Sequence, residues 1–124
     1  MAGKQLIDNE KIARFISKRR FINGGHIDPA VFQLRTRKNE KALSAYRIDG
    51  LSILQKWRAG DQIFRNGCCA SADFTANQFQ PIGLSAFQTP RERHVSIHGI
   101  PEDDKAQALT IAQELANIAT LHVR

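Results

Sequence analysis

Eight basic side chains, Arg14, Lys18, Arg19, Arg20, Arg35, Arg37, Lys38 and Lys41, come closest to chemistry by type and spacing. Guanidinium and ammonium groups this dense neutralise phosphates and release the counterions condensed on a polyanion. Of the 18 Lys and Arg residues, 14 lie in positions 1–66 against six acids, a formal +8. Positions 67–124 carry four basic and six acidic residues, a formal −2. An anionic partner, nucleic acid first, is the expectation. The bland alternative is a solvated cationic face, which is what most charge runs are. Aromatic residues do not interleave with the cluster. Phe15, Phe21 and Phe32 fall on apolar periods and Tyr46 is the one tyrosine, so no stacking platform is expected among these cations.

A second group is His94, Ser96 and His98, with Arg47 and Ser44 as partners if all five line one cleft, because imidazoles, hydroxyls and a guanidinium together suit a phosphorylated ligand. Here His94 or His98 would serve as acid and base and Arg47 would clamp phosphate, the chemistry of a small hydrolase or transferase acting on a nucleotide or RNA. On a helix, a spacing of four would place both imidazoles on one metal. On an extended strand the two lie roughly 13 Å apart, so no metal site is expected. His94-Val95-Ser96-Ile97 resembles the His-x-Ser/Thr-x motif of the two-histidine phosphoesterases, in which a histidine and a hydroxyl two residues on address one phosphate. That family carries the motif twice. His26 is followed two places later by Asp28 and His122 by Arg124, so a second copy is absent. Surface histidines on a strand edge are the simpler reading.

Cys68 and Cys69 are the only cysteines, and adjacent cysteines rarely close an unstrained disulfide. Either would become a nucleophile only beside His94 or His98 with Asp73 orienting the base; without a local motif, reduced thiols that serve as buried small hydrophobes or are incidental are expected. Asn23-Gly24-Gly25-His26 lacks the strand-to-helix context and the Lys-Ser/Thr of a phosphate loop. No cofactor is called for.

The elements that must position these residues follow from periodicity. Ile12, Phe15 and Ile16 at helical spacing, a cap at Asp8 or Asn9 and a stop at Asn23-Gly24-Gly25 predict a basic amphipathic helix from Asp8 to about Phe21. The glycines that follow argue against a helix-turn-helix. Residues 31–35 and 42–48 read as a hairpin with a basic tip. Ser52 caps a short helix in which Ile53, Leu54 and Trp57 share a face before Gly60, with a second helical turn from Asp61 through Ile63 and Phe64 to Asn66-Gly67. Residues 68–90 show no clean period apart from a strand around 83–87 between Pro81 and Pro90. His94 to His98 alternates strictly, predicting a half-buried strand with Val95 and Ile97 inward. Pro101 and the acids Glu102, Asp103 and Asp104 open a helix whose stripe of Ala108, Ile111, Ala112, Leu115, Ile118 and Ala119 runs to about Leu121.

These elements predict a small single α+β domain over residues 1–124, an antiparallel or mixed sheet covered by a long C-terminal helix, with a basic N-terminal helix. No apolar run long enough to cross a membrane and no secretory stretch is present, so a cytoplasmic protein without a membrane partner is expected. Unpaired sheet edges suit a homo-oligomer. Residues 32–48 around Leu43-Ser44-Ala45-Tyr46-Arg47, and residues 94–121 from His94-Val95-Ser96-Ile97-His98-Gly99-Ile100-Pro101 into the helix, resemble small bacterial proteins of unassigned activity. The resemblance covers about a third of the chain and implies a bacterial or phage setting and a stable domain. The functional expectation is a basic protein that binds nucleic acid as a component of a larger assembly. The alternatives are the hydrolase or transferase above and an interaction module or inhibitor whose basic face meets an acidic protein.

Overall fold

The computed structural model describes residues 4–35 and 38–124. Its strands are β1 (Lys11–Ile16), β2 (Ile22–Asn23), β3 (His26–Ile27), β4 (Leu43–Arg47), β5 (Ala70–Thr75), β6 (Ser85–Gln88), β7 (His94–His98) and β8 (Thr120–Val123). Two helices, α1 (Ile53–Ile63) and α2 (Lys105–Ile118), complete an α+β fold. Six strands make one antiparallel sheet in the order β6-β7-β4-β1-β5-β8, and β2 and β3 form a separate two-stranded ribbon.

The expected basic N-terminal helix is instead β1, an inner strand of the sheet. Ile12 and Ile16 point to one face, Ala13 and Phe15 to the other, and all four are buried. A strand covered on both faces loses its polar alternation, and Ile12, Phe15 and Ile16, drawn from two faces, imitate a helical stripe. Lys18 is exposed and precedes a single helical turn, Arg19–Phe21. The expected hairpin over 31–48 is also corrected. Pro29–Phe32 is a short helical turn that buries Val31 and Phe32, with the Asp28 carboxylate accepting from the Ala30 amide at 2.9 Å. Only the second arm is a strand, and β4 pairs with β1 and β7.

One helix lies on each face. α2 contributes Ile111, Ala112 and Leu115 to the core formed by Ile12, Ile16, Leu43, Ala45, Val95 and Ile97. It begins later than expected: the Asp104 carboxylate accepts from the Gln107 amide at 3.0 Å, leaving Pro101, Glu102 and Asp103 ahead of the helix. It also ends sooner, because Leu121 belongs to β8. On the opposite face α1 packs Trp57 on Ala13, Phe15 and Cys68. The Ser52–Gln55 capping box starts α1, which runs unbroken through Gly60. A Cβ on Gly60 would fall on Cys68 Sγ and 2.6 Å from Phe15 Cδ1, so this glycine serves the approach of helix to sheet and does not end the helix. α1 lies over the β1, β5 and β8 side, where Lys56 meets Asp73 and Trp57 meets His122. Over β4, β7 and β6 the same face is more open: Ser44, Phe87 and Ser96 are half-buried and His98 is exposed.

Among the described residues no helix is long and apolar enough to cross a membrane.

Candidate functional site

The structure disperses the eight cations singled out above. Arg14 runs into the protein, where Nε donates to the Val31 carbonyl at 2.7 Å and a terminal nitrogen donates to the Ser44 carbonyl at 2.6 Å. Burial pushes its guanidinium down to about 10, still charged at neutral pH. Arg35 forks onto Glu40 at 2.8 Å, which raises the guanidinium further and, against the upward pull of burial, holds the carboxyl below its ordinary range. Lys41 meets Glu102 at 2.6 Å. Arg37 lies outside the described residues. Lys18, Arg19, Arg20 and Lys38 are exposed.

A different set of cations converges. The β6–β7 hairpin loop carries Arg91 and Arg93, and α1 presents Arg58 across from it; the three line a cleft of about 500 Å³ with Tyr46, Gln55 and Gln62. Among the described residues none of these arginines lies within ion-pair distance of a carboxylate, although Glu92 shares the cleft. Arg93 sits at φ 59°, a left-handed backbone that a branched or bulky residue adopts only when its surroundings impose it. Its carbonyl accepts from the Arg47 amide at 2.8 Å, tying the loop to β4.

Beside the cleft, His94 is buried between two hydroxyls. Its Nε2 is 3.0 Å from Ser44 Oγ and its Nδ1 is 2.8 Å from Thr89 Oγ1. The Tyr46 ring meets the imidazole edge-on at 5.4 Å, so one aromatic both lines the cleft and packs on the histidine. Burial, and then the positive charge of Arg91, push His94 below the ordinary histidine range, favouring the neutral imidazole.

Of the five residues expected to line one cleft, Ser44, His94, Ser96 and His98 share the α1 side of the sheet, with Ser44 directly opposite Ser96 in the β4–β7 register. His98 stands off at the exposed end of β7 against Phe87, ring centres 5.8 Å apart. Arg47 does not join them, because it alternates to the α2 side with Leu43 and Ala45, next to Glu10 at 3.8 Å. The four histidines do not converge: His26 is exposed on β3 and His122 lies on β8, at the opposite edge of the sheet from β6. Cys68 donates to the Trp57 carbonyl and to Asp61, and burial, followed by the Asp61 charge, pushes its thiol up; Cys69 donates to the Ile16 carbonyl. At Cys68 this surrounding stabilises the thiol over the thiolate.

Sequence reading passed over Arg58, Arg91, Arg93 and Thr89. The available signal was the run Pro90-Arg91-Glu92-Arg93-His94, a turn leading into a strand with two arginines in it. It also passed over the cluster beneath α1, where Lys56 Nζ lies 2.6 Å from Asp73 and 2.9 Å from His122 Nδ1, and Ser71 donates to the other Asp73 oxygen at 2.7 Å. An ammonium only donates, so His122 accepts through Nδ1 and carries its proton on Nε2. Comparison of the chain with protein-family models, with characterised proteins and with solved structures finds no match in any of the three.

Proposed function

We propose that the protein binds a phosphate-bearing partner, nucleic acid first, through the arginine cleft between α1 and the β6–β7 loop. The observation that carries this reading is the convergence of Arg58, Arg91 and Arg93, without carboxylate partners among the described residues, around the Tyr46 ring. A guanidinium grips phosphate through a planar fork of donors, and an aromatic beside it offers a base a stacking surface. The cleft falls within the volume range of small-ligand sites, about 300–1,000 Å³, and so takes a nucleotide unit or a short single-stranded segment rather than a duplex. Lys18, Arg19 and Arg20 lie beyond the far end of β1 from the cleft and supply a second, weaker contact for a longer polyanion.

Binding of labelled single- and double-stranded DNA and RNA, measured at about 50 and 200 mM salt, tests this, because phosphate contacts weaken steeply over that range. The expected result is salt-dependent binding that favours single strands, is abolished by the double change Arg91→Glu and Arg93→Glu, and is only weakened by Arg19→Glu and Arg20→Glu. Binding that survives reversal of the cleft arginines, or that ignores salt, overturns the reading. Tight binding to an acidic protein with none to nucleic acid would move the protein to the interaction-module class.

A further inference from the structure

We propose that Ser44 is a nucleophile activated by His94, with Thr89 as positioning residue, and that the group it attacks is the phosphorus of a phosphate ester held in the arginine cleft. The identity of the substrate rests on the reading above; the nucleophile stands on its own geometry.

Three hydrogen-bonding side chains form a line. Ser44 Oγ lies 3.0 Å from His94 Nε2, and His94 Nδ1 lies 2.8 Å from Thr89 Oγ1. Nucleophile, base and orienting group stand in hydrogen-bonding contact, the arrangement by which serine hydroxyls become nucleophilic on unrelated folds. Thr89 is itself fixed. Its amide donates to the His94 carbonyl at 3.1 Å and its hydroxyl accepts from the Arg91 amide at 3.3 Å, so the loop bearing two cleft arginines also sets the imidazole. A base that takes the Ser44 proton must be neutral, and the buried, arginine-flanked site of His94 supplies that state. Ser44 is half-buried, whereas Ser71, the serine one strand beyond β1, is sealed beneath α1. Ser44 and Tyr46 are two residues apart on one face of β4, about 7 Å, which places the hydroxyl within reach of a phosphate gripped beside Tyr46.

In the first half-reaction an Oγ–P bond forms as the P–O bond to the leaving group breaks, and the Ser44 proton passes to His94 Nε2 and on to the leaving oxygen. Arg58, Arg91 and Arg93 face the charge that develops on the phosphoryl oxygens. In the second, water gives its proton to His94 and attacks phosphorus, and Oγ departs and takes that proton back. The sum is hydrolysis of one ester bond, with no further reactant.

The test uses diisopropyl fluorophosphate, in which Oγ displaces fluoride from phosphorus and the adduct accumulates, followed by intact-mass analysis and peptide mapping. The expected result is a single adduct at Ser44, absent from Ser44→Ala and formed at least about a hundredfold more slowly in His94→Gln, the scale of a lost general base. Thr89→Ser should keep the rate and Thr89→Val should lower it, a rescue that a purely packing role for Thr89 does not produce. Wild-type protein that gives no Ser44 adduct overturns the proposal. So does an adduct that forms equally fast in folded His94→Gln; should that variant not fold, an adduct that persists in Ser44→Ala overturns it independently. Hydrolysis of bis(p-nitrophenyl) phosphate, lost in Ser44→Ala and in Arg91→Glu, then tests the substrate class. Ser44 labelling without nucleic-acid binding or diester hydrolysis overturns the phosphate ester and retains the nucleophile, whereas salt-dependent binding without labelling overturns the nucleophile and retains the binding cleft.

Discussion

The guanidinium of Arg14 donates to the backbone carbonyl of Ser44 at 2.6 Å, at the place where β1 and β4 cease to pair residue by residue. Ala13 and Tyr46 are the last partners in that ladder; beyond them the Arg14 side chain replaces backbone donors and also holds the Val31 carbonyl. The most N-terminal of the cations expected to meet a polyanion therefore holds β4, and with it Ser44, to the rest of the molecule.

Arg14→Met keeps most of the aliphatic bulk and removes both donors. Leaving a buried carbonyl unpaired costs about 1–3 kcal/mol, so a total loss of about 3 kcal/mol is expected, read as a lower urea midpoint at unchanged slope. The salt dependence of nucleic-acid binding should be untouched, because the Arg14 donors are taken up by the Val31 and Ser44 carbonyls. An unaltered midpoint would show that the two carbonyls do not depend on Arg14.

What was legible in the chain divides along a physical line. β7 could be read because Val95 and Ile97 alternate with the polar His94, Ser96 and His98. α1 could be read because Ser52 is a local cap, which the structure completes with Gln55. The stripe of α2 was plain, since Ile111, Ala112 and Leu115 recur on one face. β1 was not legible as a strand, since two buried faces erase alternation. β5 escaped notice because Ala70 and Ala72 are small enough to resemble a loop, yet they alternate with Ser71 and Asp73. β8 was absorbed into the helix before it, and only Ala119, extended at ψ 144°, separates the two. Of the site, His94 and Ser44 were named, but their partner Thr89 and the cleft arginines come from a turn whose meaning depends on which strands it joins.

Beneath α1, Lys56 is 5% exposed and its ammonium is held by Asp73 and His122. Removing one member of a buried ion pair leaves the other uncompensated, and the more buried member suffers more. Asp73→Ala should therefore cost about 3–5 kcal/mol, since it strands the ammonium. Lys56→Met should cost less, because Asp73 is partly exposed and keeps the Ser71 hydroxyl. Adding Lys56→Met to Asp73→Ala should restore stability relative to Asp73→Ala alone, with a coupling of about 0.5–3 kcal/mol in chemical denaturation. Equal single losses that add without coupling would mean the pair is not what holds α1 to β5.

His94 fixes the sign of a pH dependence. Burial first, and Arg91 second, place its folded value below the ordinary histidine value of about 6.5 that it recovers on unfolding. Between the two values the unfolded chain holds a proton that the folded one lacks, so stability rises with pH there. The contribution is fully present above about 6.5 and is lost as pH falls through the folded value. The hydroxyls of Ser44 and Thr89 can turn to accept from an imidazolium, so the penalty for protonation comes from the buried site and from Arg91, not from broken hydrogen bonds. Arg91→Gln should then move the His94 midpoint upward in an NMR titration and shrink the acid-side loss of stability, while His94→Gln should remove it, as judged by the difference between the two pH–stability curves. A wild-type His94 midpoint at or above that of free histidine would contradict the disfavoured imidazolium on which this pH dependence rests.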